Sequence, residues 1–187
     1  MKMKKSLACM IRGKSVEEAI RFAFFDHKDK LSIPAAQNYA NDLYYLRTKH
    51  FPQSVVKFNA KPINILVKTG INAFVRIGIK GFKNINSFKL HDSGNTKFIF
   101  PDFIPQKIQI DRNKLLNCCL ELKISNKKNY KVVKKHVKQC LRYATKSRKP
   151  VILLYLFFTR NPGKWGQYSA FPKFFIISER NLAKFQK

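Results

Sequence analysis

The stretch Leu120-Glu121-Leu122-Lys123-Ile124, preceded by Pro101-Asp102, decides the fold of this chain. Side chains two residues apart on a strand point to the same face, so Glu121 and Lys123 are expected to share one side of a strand. If Asp102 ends a neighbouring strand, two carboxylates meet there as hard oxygen ligands for Mg²⁺. Such a centre suits phosphodiester cleavage. The sequence therefore predicts Asp102 and Glu121 as metal ligands, with Lys123 beside them.

A plainer interpretation is open at the same positions. Asp102 can end a strand in a Pro-Asp turn, and Glu121 can pair with one of the many lysines. However, Leu120 and Leu122 flank Glu121, so the strand is expected to be buried. Buried carboxylates are uncommon without a partner or a metal, and this favours the metal site.

The charge balance points to a polyanionic partner. The chain of 187 residues has 38 Lys and Arg against 10 Asp and Glu, a net charge of +28. A biased genomic composition would enrich lysine but would also supply acids, so the acid shortage favours nucleic acid, with DNA preferred and RNA possible. A hydrophobic fraction of 45% with 17 Phe excludes a disordered basic tail.

Membrane insertion and secretion are not expected. The longest apolar run, Val151–Phe158, is far shorter than the roughly 20 residues that span a bilayer. The basic start resembles a signal peptide, but Arg12-Gly13-Lys14 interrupts the short apolar stretch after it. An intracellular location is predicted, in the cytoplasm, a nucleoid or an organelle. The four cysteines lack metal-ligand spacing and are expected to be buried reduced thiols.

The element order predicts an α/β (α+β) fold with a mixed central sheet. Ser15 with Glu18 as a capping box predicts the start of one helix, and Pro34 the start of a second. These form a basic N-terminal helical layer, residues 1–52. The core, residues 53–187, begins with an alternating stretch over Ile71–Ile79 that predicts a strand. Further strands are predicted at 87–90, 97–100, 115–124, 151–158 and 171–177, with a helix over 133–144.

Several segments together resemble the PD-(D/E)xK nuclease superfamily, most closely the archaeal-type Holliday junction resolvases. The segments are Phe100–Ile104, Leu120–Ile124, Tyr130–Leu141 and Val151–Phe158, and the likeness covers about residues 90–160. It implies a restriction-endonuclease-like αβββαβ core. It also implies a structure-selective endodeoxyribonuclease dependent on one or two Mg²⁺ ions, and a homodimer.

The resemblance assigns roles to individual residues. Asp102 and Glu121 are the metal ligands, and Lys123 is the catalytic group that orients water or stabilises developing charge. The phosphate backbone is contacted by a tyrosine and by the basic residues of the following helix: Tyr130, Lys131, Lys134, Lys135, Lys138 and Arg142. The resolvase pattern also has a glutamate in its first helix. The candidates for that position are Glu17, Glu18 and Asp42.

A second resemblance supports a different class of protein. Ile11–Ile20 is similar to a helix of the tunnel-lining large-subunit ribosomal protein with the long hairpin. It implies a non-enzymatic, basic, RNA-binding structural protein. A nuclease fold kept as an inactive nucleic-acid-binding scaffold is a third expectation.

Overall fold

A computed structural model describes residues 2–25, 32–79, 88–92, 95–99, 102–104, 108–110, 113–115, 118–126, 134–163 and 166–178. The fold is α+β, with an N-terminal helical layer and a three-stranded mixed sheet. By its internal contacts the chain divides into two compact units. In the part of the chain that the structure describes, no helix has the length and apolar composition needed to cross a membrane.

Among the described residues, four helices precede the strands: α1 (Lys2–Phe25), α2 (Ile33–Thr48), α3 (Gln53–Ala60) and α4 (Ile63–Arg76). The predicted start of α2 is confirmed. Ser32 is its N-cap and accepts a hydrogen bond from the Ala35 amide at 3.3 Å, and Pro34 lies in the first turn. Proline fits there because the first-turn amides have no partner within the helix.

Two predictions about this helical segment are wrong. Ser15 does not begin a helix: α1 already starts at Lys2, so Ser15 lies in mid-helix and is fully buried. Nor do residues 71–79 form a strand, because α4 continues to Arg76. The preceding buried residues, Ile63, Leu66, Val67 and Gly70, set a helical period, and Val75 is 50% exposed. Helical structure thus extends well beyond residue 52.

The first unit comprises Met1–Arg76, Ile124–Lys128 and Leu156–Pro172. Its core is apolar, and Ile20, Tyr44, Leu66 and Phe74 are fully buried. Gly70 of α4 lies so close to Ile20 of α1 that a Cβ there would overlap it. The absence of a side chain at Gly70 therefore permits this helix packing.

Seven strands are described, β1 (Phe88–Asp92), β2 (Asn95–Ile99), β3 (Ile108–Ile110), β4 (Asn113–Leu115), β5 (Cys119–Ser125), β6 (Val151–Arg160) and β7 (Tyr168–Ile177). β1 pairs antiparallel with β2, and β3 with β4. The three-stranded sheet has the order β5-β6-β7. All residues from Val151 to Phe158 are buried, which confirms the prediction of a fully buried strand.

The second unit comprises Ile77–Lys123, Asn129–Tyr155 and Lys173–Lys187. It contains helix α5 (Lys134–Ser147), which confirms the helix predicted over 133–144. Val137, Cys140 and Ala144 form its buried stripe at helical spacing. The chain therefore runs from β5 through α5 to β6, the succession expected around the acidic motif.

Candidate metal and nucleic-acid site

Glu121 lies in the middle of β5 and is 1% exposed. Its neighbours Leu120 and Leu122 are buried as well. The burial predicted for this carboxylate is therefore confirmed. A charged group in such surroundings needs compensation, because transfer of an unpaired carboxylate out of water is very costly.

Asp102 reaches β5 through a short antiparallel bridge. The Phe103 amide donates to the Leu120 carbonyl at 3.0 Å, and the Leu120 amide donates to the Phe103 carbonyl at 2.9 Å. This pairing places Asp102 next to Glu121 along β5. The Leu122 amide donates to Asp102 Oδ2 at 2.8 Å. Both sequence-predicted acids therefore lie at one point of the strand.

Lys123 compensates the charge of Glu121. Its Nζ donates to Glu121 Oε1, and the two groups form an ion pair whose lysine side chain is 22% exposed. Burial by itself lowers the pKa of the Lys123 ammonium. The charges of Glu121 and Asp102 and the hydrogen bond to Glu121 outweigh burial, so the pKa is raised above its usual value. Lys123 is therefore a cation at neutral pH.

Two residues that the sequence did not single out complete this cluster. Gln139 of α5 donates through Nε2 to Glu121 Oε1 and to the Tyr143 hydroxyl, both at 2.8 Å. Burial is the main cause of the raised pKa of Tyr143, and both Glu121 and Asp102 add to it. Gln139 and Tyr143 lie four residues apart on α5, so they share one helix face. That spacing could have shown that Gln139 and Tyr143 share a helix face, but not that this face meets Glu121.

Cys140 is near enough to the same cluster to feel its charges, and it is fully buried. Burial is the main cause that raises its pKa to about 12, and the charge of Glu121 adds to the effect. Cys140 is therefore a neutral thiol at physiological pH, and the carboxylates are the anionic groups of the cluster. Cys118 and Cys119 are buried as well, whereas Cys9 on α1 is exposed, contrary to the prediction of four buried thiols.

The exposed face of α5 opens a basic groove beside these residues. The groove has a volume of about 520 Å³, and the described residues that line it are Lys134, Lys135, Lys138, Gln139 and Arg142. Gln139 belongs both to this groove wall and to the Glu121 cluster. The groove, which we call the α5 groove, therefore borders the acidic site directly.

The structure thus brings most of the predicted site residues together in the second unit. Asp102, Glu121 and Lys123 form one cluster, and the four basic residues predicted on α5 line the α5 groove. Tyr130 and Lys131 lie outside the described residues.

The candidates for a third acid are occupied elsewhere or exposed. Glu17 pairs with Lys14 and Arg21, and Glu18 pairs with Arg47, all within the first unit. Asp42 is exposed on α2. Within the described ranges, no group of three or more His, Cys, Asp or Glu residues could hold a metal ion.

The donor set nevertheless suits Mg²⁺. Proteins usually hold this ion through one or two carboxylates, and waters and substrate phosphates complete its octahedron. Asp102 and Glu121 supply two hard oxygen donors at one point of β5. A third protein carboxylate is not required for such a centre.

No protein-family model, curated protein or solved structure matches this chain.

Proposed function

We propose that this chain is a nucleic-acid-binding protein that hydrolyses phosphodiesters with Mg²⁺, as a structure-selective endodeoxyribonuclease of the Holliday junction resolvase type. One observation carries the proposal: Asp102 contacts β5 beside Glu121 and Lys123, and this cluster borders the α5 groove through Gln139. The order β5, α5, β6 around this cluster supports a restriction-endonuclease-like αβββαβ core, and the net charge of +28 supports a role on DNA.

Each group of side chains has a task under this proposal. The basic residues of the α5 groove hold the phosphate backbone of the substrate by charge, without reading its sequence. Asp102 and Glu121 hold Mg²⁺, which supplies Lewis acidity and a more acidic bound water. Gln139 fixes the Glu121 carboxylate through Oε1. The Lys123 ammonium stabilises the negative charge that develops on the phosphate oxygens.

Cleavage assays test this function directly. Wild-type protein and the Asp102→Asn variant are incubated with a four-way DNA junction, duplex DNA and RNA, with Mg²⁺ or with EDTA. We expect Mg²⁺-dependent cleavage, with preference for the junction, and a loss of at least about 100-fold in Asp102→Asn because a ligand of the ion is removed. Equal cleavage by the two proteins would contradict the proposal. Symmetric cuts in both strands would support a homodimer.

The main alternative is a non-enzymatic RNA-binding structural protein or an inactive nuclease-fold scaffold. It is favoured by the lack of a three-acid cluster in the described part of the chain, and by the Lys123–Glu121 ion pair. Under this alternative the chain binds nucleic acid with and without Mg²⁺ but cleaves none of the three substrates. Stable co-purification with ribosomal RNA would favour the ribosomal class.

A further inference from the structure

Four cations of α5 form a single row on its exposed side, which we call the α5 row. The row consists of exposed side chains spaced four residues apart: Lys134, Lys138, Arg142 and Lys146. Residues four apart on a helix are neighbours on its surface. Each step advances about 6 Å along the axis, so the row extends over about 18 Å. Lys146 therefore continues the line of cations beyond the residues that line the α5 groove.

The α5 row is not neutralised within its own helix. The sequence of α5 contains no acidic residue, and no Asp or Glu occurs between Glu121 and Glu179. The exposed side of α5 therefore attracts polyanions and carries no carboxylate of its own that would repel them.

The other sides of α5 are not available to a nucleic acid. Val137, Cys140 and Ala144 are buried. Gln139 is directed to Glu121 of β5, to which it donates at 2.8 Å. A helix that reads duplex DNA enters the major groove, and its sides then face the two backbones. Because α5 is packed on one side, only its exposed side, with the α5 row, is open to phosphates.

The length of the α5 row distinguishes an unpaired strand from a duplex. In B-DNA each strand winds through a full turn in about 34–36 Å, so it covers about half a turn within the length of the row. A strand of a duplex therefore leaves a nearly straight row after one or two cations. An unpaired strand has no fixed twist, and its backbone can follow the row from Lys134 to Lys146.

The acidic cluster lies beside the middle of the α5 row. Gln139, which contacts the cluster, directly follows Lys138 and precedes Arg142 by three residues, so it lies between them along the helix. From the level of Gln139 the row extends about 8 Å towards Lys134 and about 10 Å towards Lys146. A strand on the row therefore passes the cluster and continues in both directions. This arrangement favours cleavage within a strand over cleavage from its end.

On the basis of the proposed function, we propose that the α5 row binds an unpaired strand of DNA and presents the interior of that strand to the acidic cluster. The strand that leaves a duplex at a branch point is a substrate segment of this kind. Lysine and arginine hold its phosphates by charge without reading the bases, so binding does not depend on sequence. Lys146 joins the predicted phosphate-binding residues of α5, and an intact duplex engages only part of the row.

The salt dependence of binding tests this assignment. A labelled single strand and a duplex of the same length are titrated with protein in EDTA, and fluorescence anisotropy gives the slope of log K against log salt concentration. The variants each neutralise one cation of the row: Lys134→Gln, Lys138→Gln, Arg142→Gln and Lys146→Gln. Each should make the single-strand slope shallower by about 0.7, whereas only one or two of them should change the duplex slope, by about 0.9. The matched control Lys68→Gln, at an exposed lysine of α4, should change both slopes less.

Several outcomes would overturn the assignment. Equal contributions of all four residues on the duplex and on the single strand would do so, as would single-strand slopes that none of the four variants alters. Tighter binding of unpaired RNA than of DNA of the same sequence would overturn the choice of DNA. Since EDTA prevents Mg²⁺-dependent cleavage, a chain that binds in the expected pattern but cleaves nothing would refute the proposed function alone.

Circular single-stranded DNA tests the position of the cluster along the strand. With Mg²⁺ the wild-type chain should linearise the circles, because a strand on the α5 row passes the cluster in both directions. Shortening of linear strands from their ends, with circles left intact, would overturn this geometry.

Discussion

The Lys123–Glu121 ion pair provides a quantitative test of the cluster on β5. Replacement of Lys123 by Met leaves the Glu121 carboxylate, which is 1% exposed, without its cation. Removal of one partner from a buried pair typically costs about 3–5 kcal/mol. The Lys123 side chain is 22% exposed, and Gln139 still donates to the carboxylate. We therefore expect a loss of about 2–3 kcal/mol in the free energy of unfolding, below the full range because of this residual solvation.

The double variant Glu121→Gln/Lys123→Met decides whether charge is the cause. Both charges are absent in this variant, and the side-chain amide introduced at position 121 can still form a hydrogen bond with Gln139. The loss in the free energy of unfolding should therefore fall to about 1 kcal/mol. Urea unfolding followed by circular dichroism gives each free energy, with the slope checked for two-state behaviour. Lys14→Met, which breaks a pair whose lysine is 54% exposed, should cost below about 1 kcal/mol. The single variant Glu121→Gln completes the cycle. If the losses of Glu121→Gln and Lys123→Met sum to that of the double variant within about 0.5 kcal/mol, the reasoning is refuted.

Three further predictions concern pH, salt and packing. The pKa of Lys123 is raised above 10.5 in the folded chain, so its stabilising contribution is complete below pH 10.5 and is lost as pH rises through the raised value. Urea midpoints of wild type should fall there more steeply than those of Lys123→Met. The slope of log K for DNA binding against log salt concentration should become shallower by about two in Lys138→Glu/Arg142→Glu. The matched control Lys57→Glu/Lys68→Glu changes two exposed lysines of α3 and α4 and should alter this slope less. In thermal unfolding, Gly70→Ala should cost about 1–3 kcal/mol by overpacking. Gly13→Ala, where a Cβ would meet nothing within 4 Å, should gain about 0.5–1 kcal/mol.

Local patterns in the sequence predicted the elements whose stability is determined nearby. Pro34 at a helix start, the basic and apolar faces of α5, and the unbroken apolar run of β6 all agree with the structure. Each has one dominant signal, and no competing period runs through the same residues. The succession of β5, α5 and β6 around the acidic cluster could be predicted for this reason.

The errors arose where two periods overlap. Residues 71–79 alternate as a strand would, yet Leu66, Val67 and Gly70 before them extend a helical stripe that fixes α4. Capping residues mislead in the same way, because Ser15 and Glu18 fit a helix start as well as a helix interior. Glu18 instead forms an ion pair with Arg47 of α2. Such choices depend on packing between elements and are not contained in a local window.

The acidic cluster shows the same division between local and distant information. Glu121 and Lys123 could be paired from their spacing alone, since residues two apart share a strand face. Gln139 could not be assigned to this cluster, because its contact with Glu121 depends on how α5 packs against β5.

Under the proposed function, the charge around this contact determines how strongly Mg²⁺ binds. A net charge of +28 opposes Mg²⁺ binding to the free chain, and Lys123 already compensates Glu121. Phosphates in the α5 groove would reverse the local potential beside Gln139. Under the proposed function, nucleic acid should therefore strengthen Mg²⁺ binding, and linkage requires Mg²⁺ to strengthen nucleic-acid binding by the same factor.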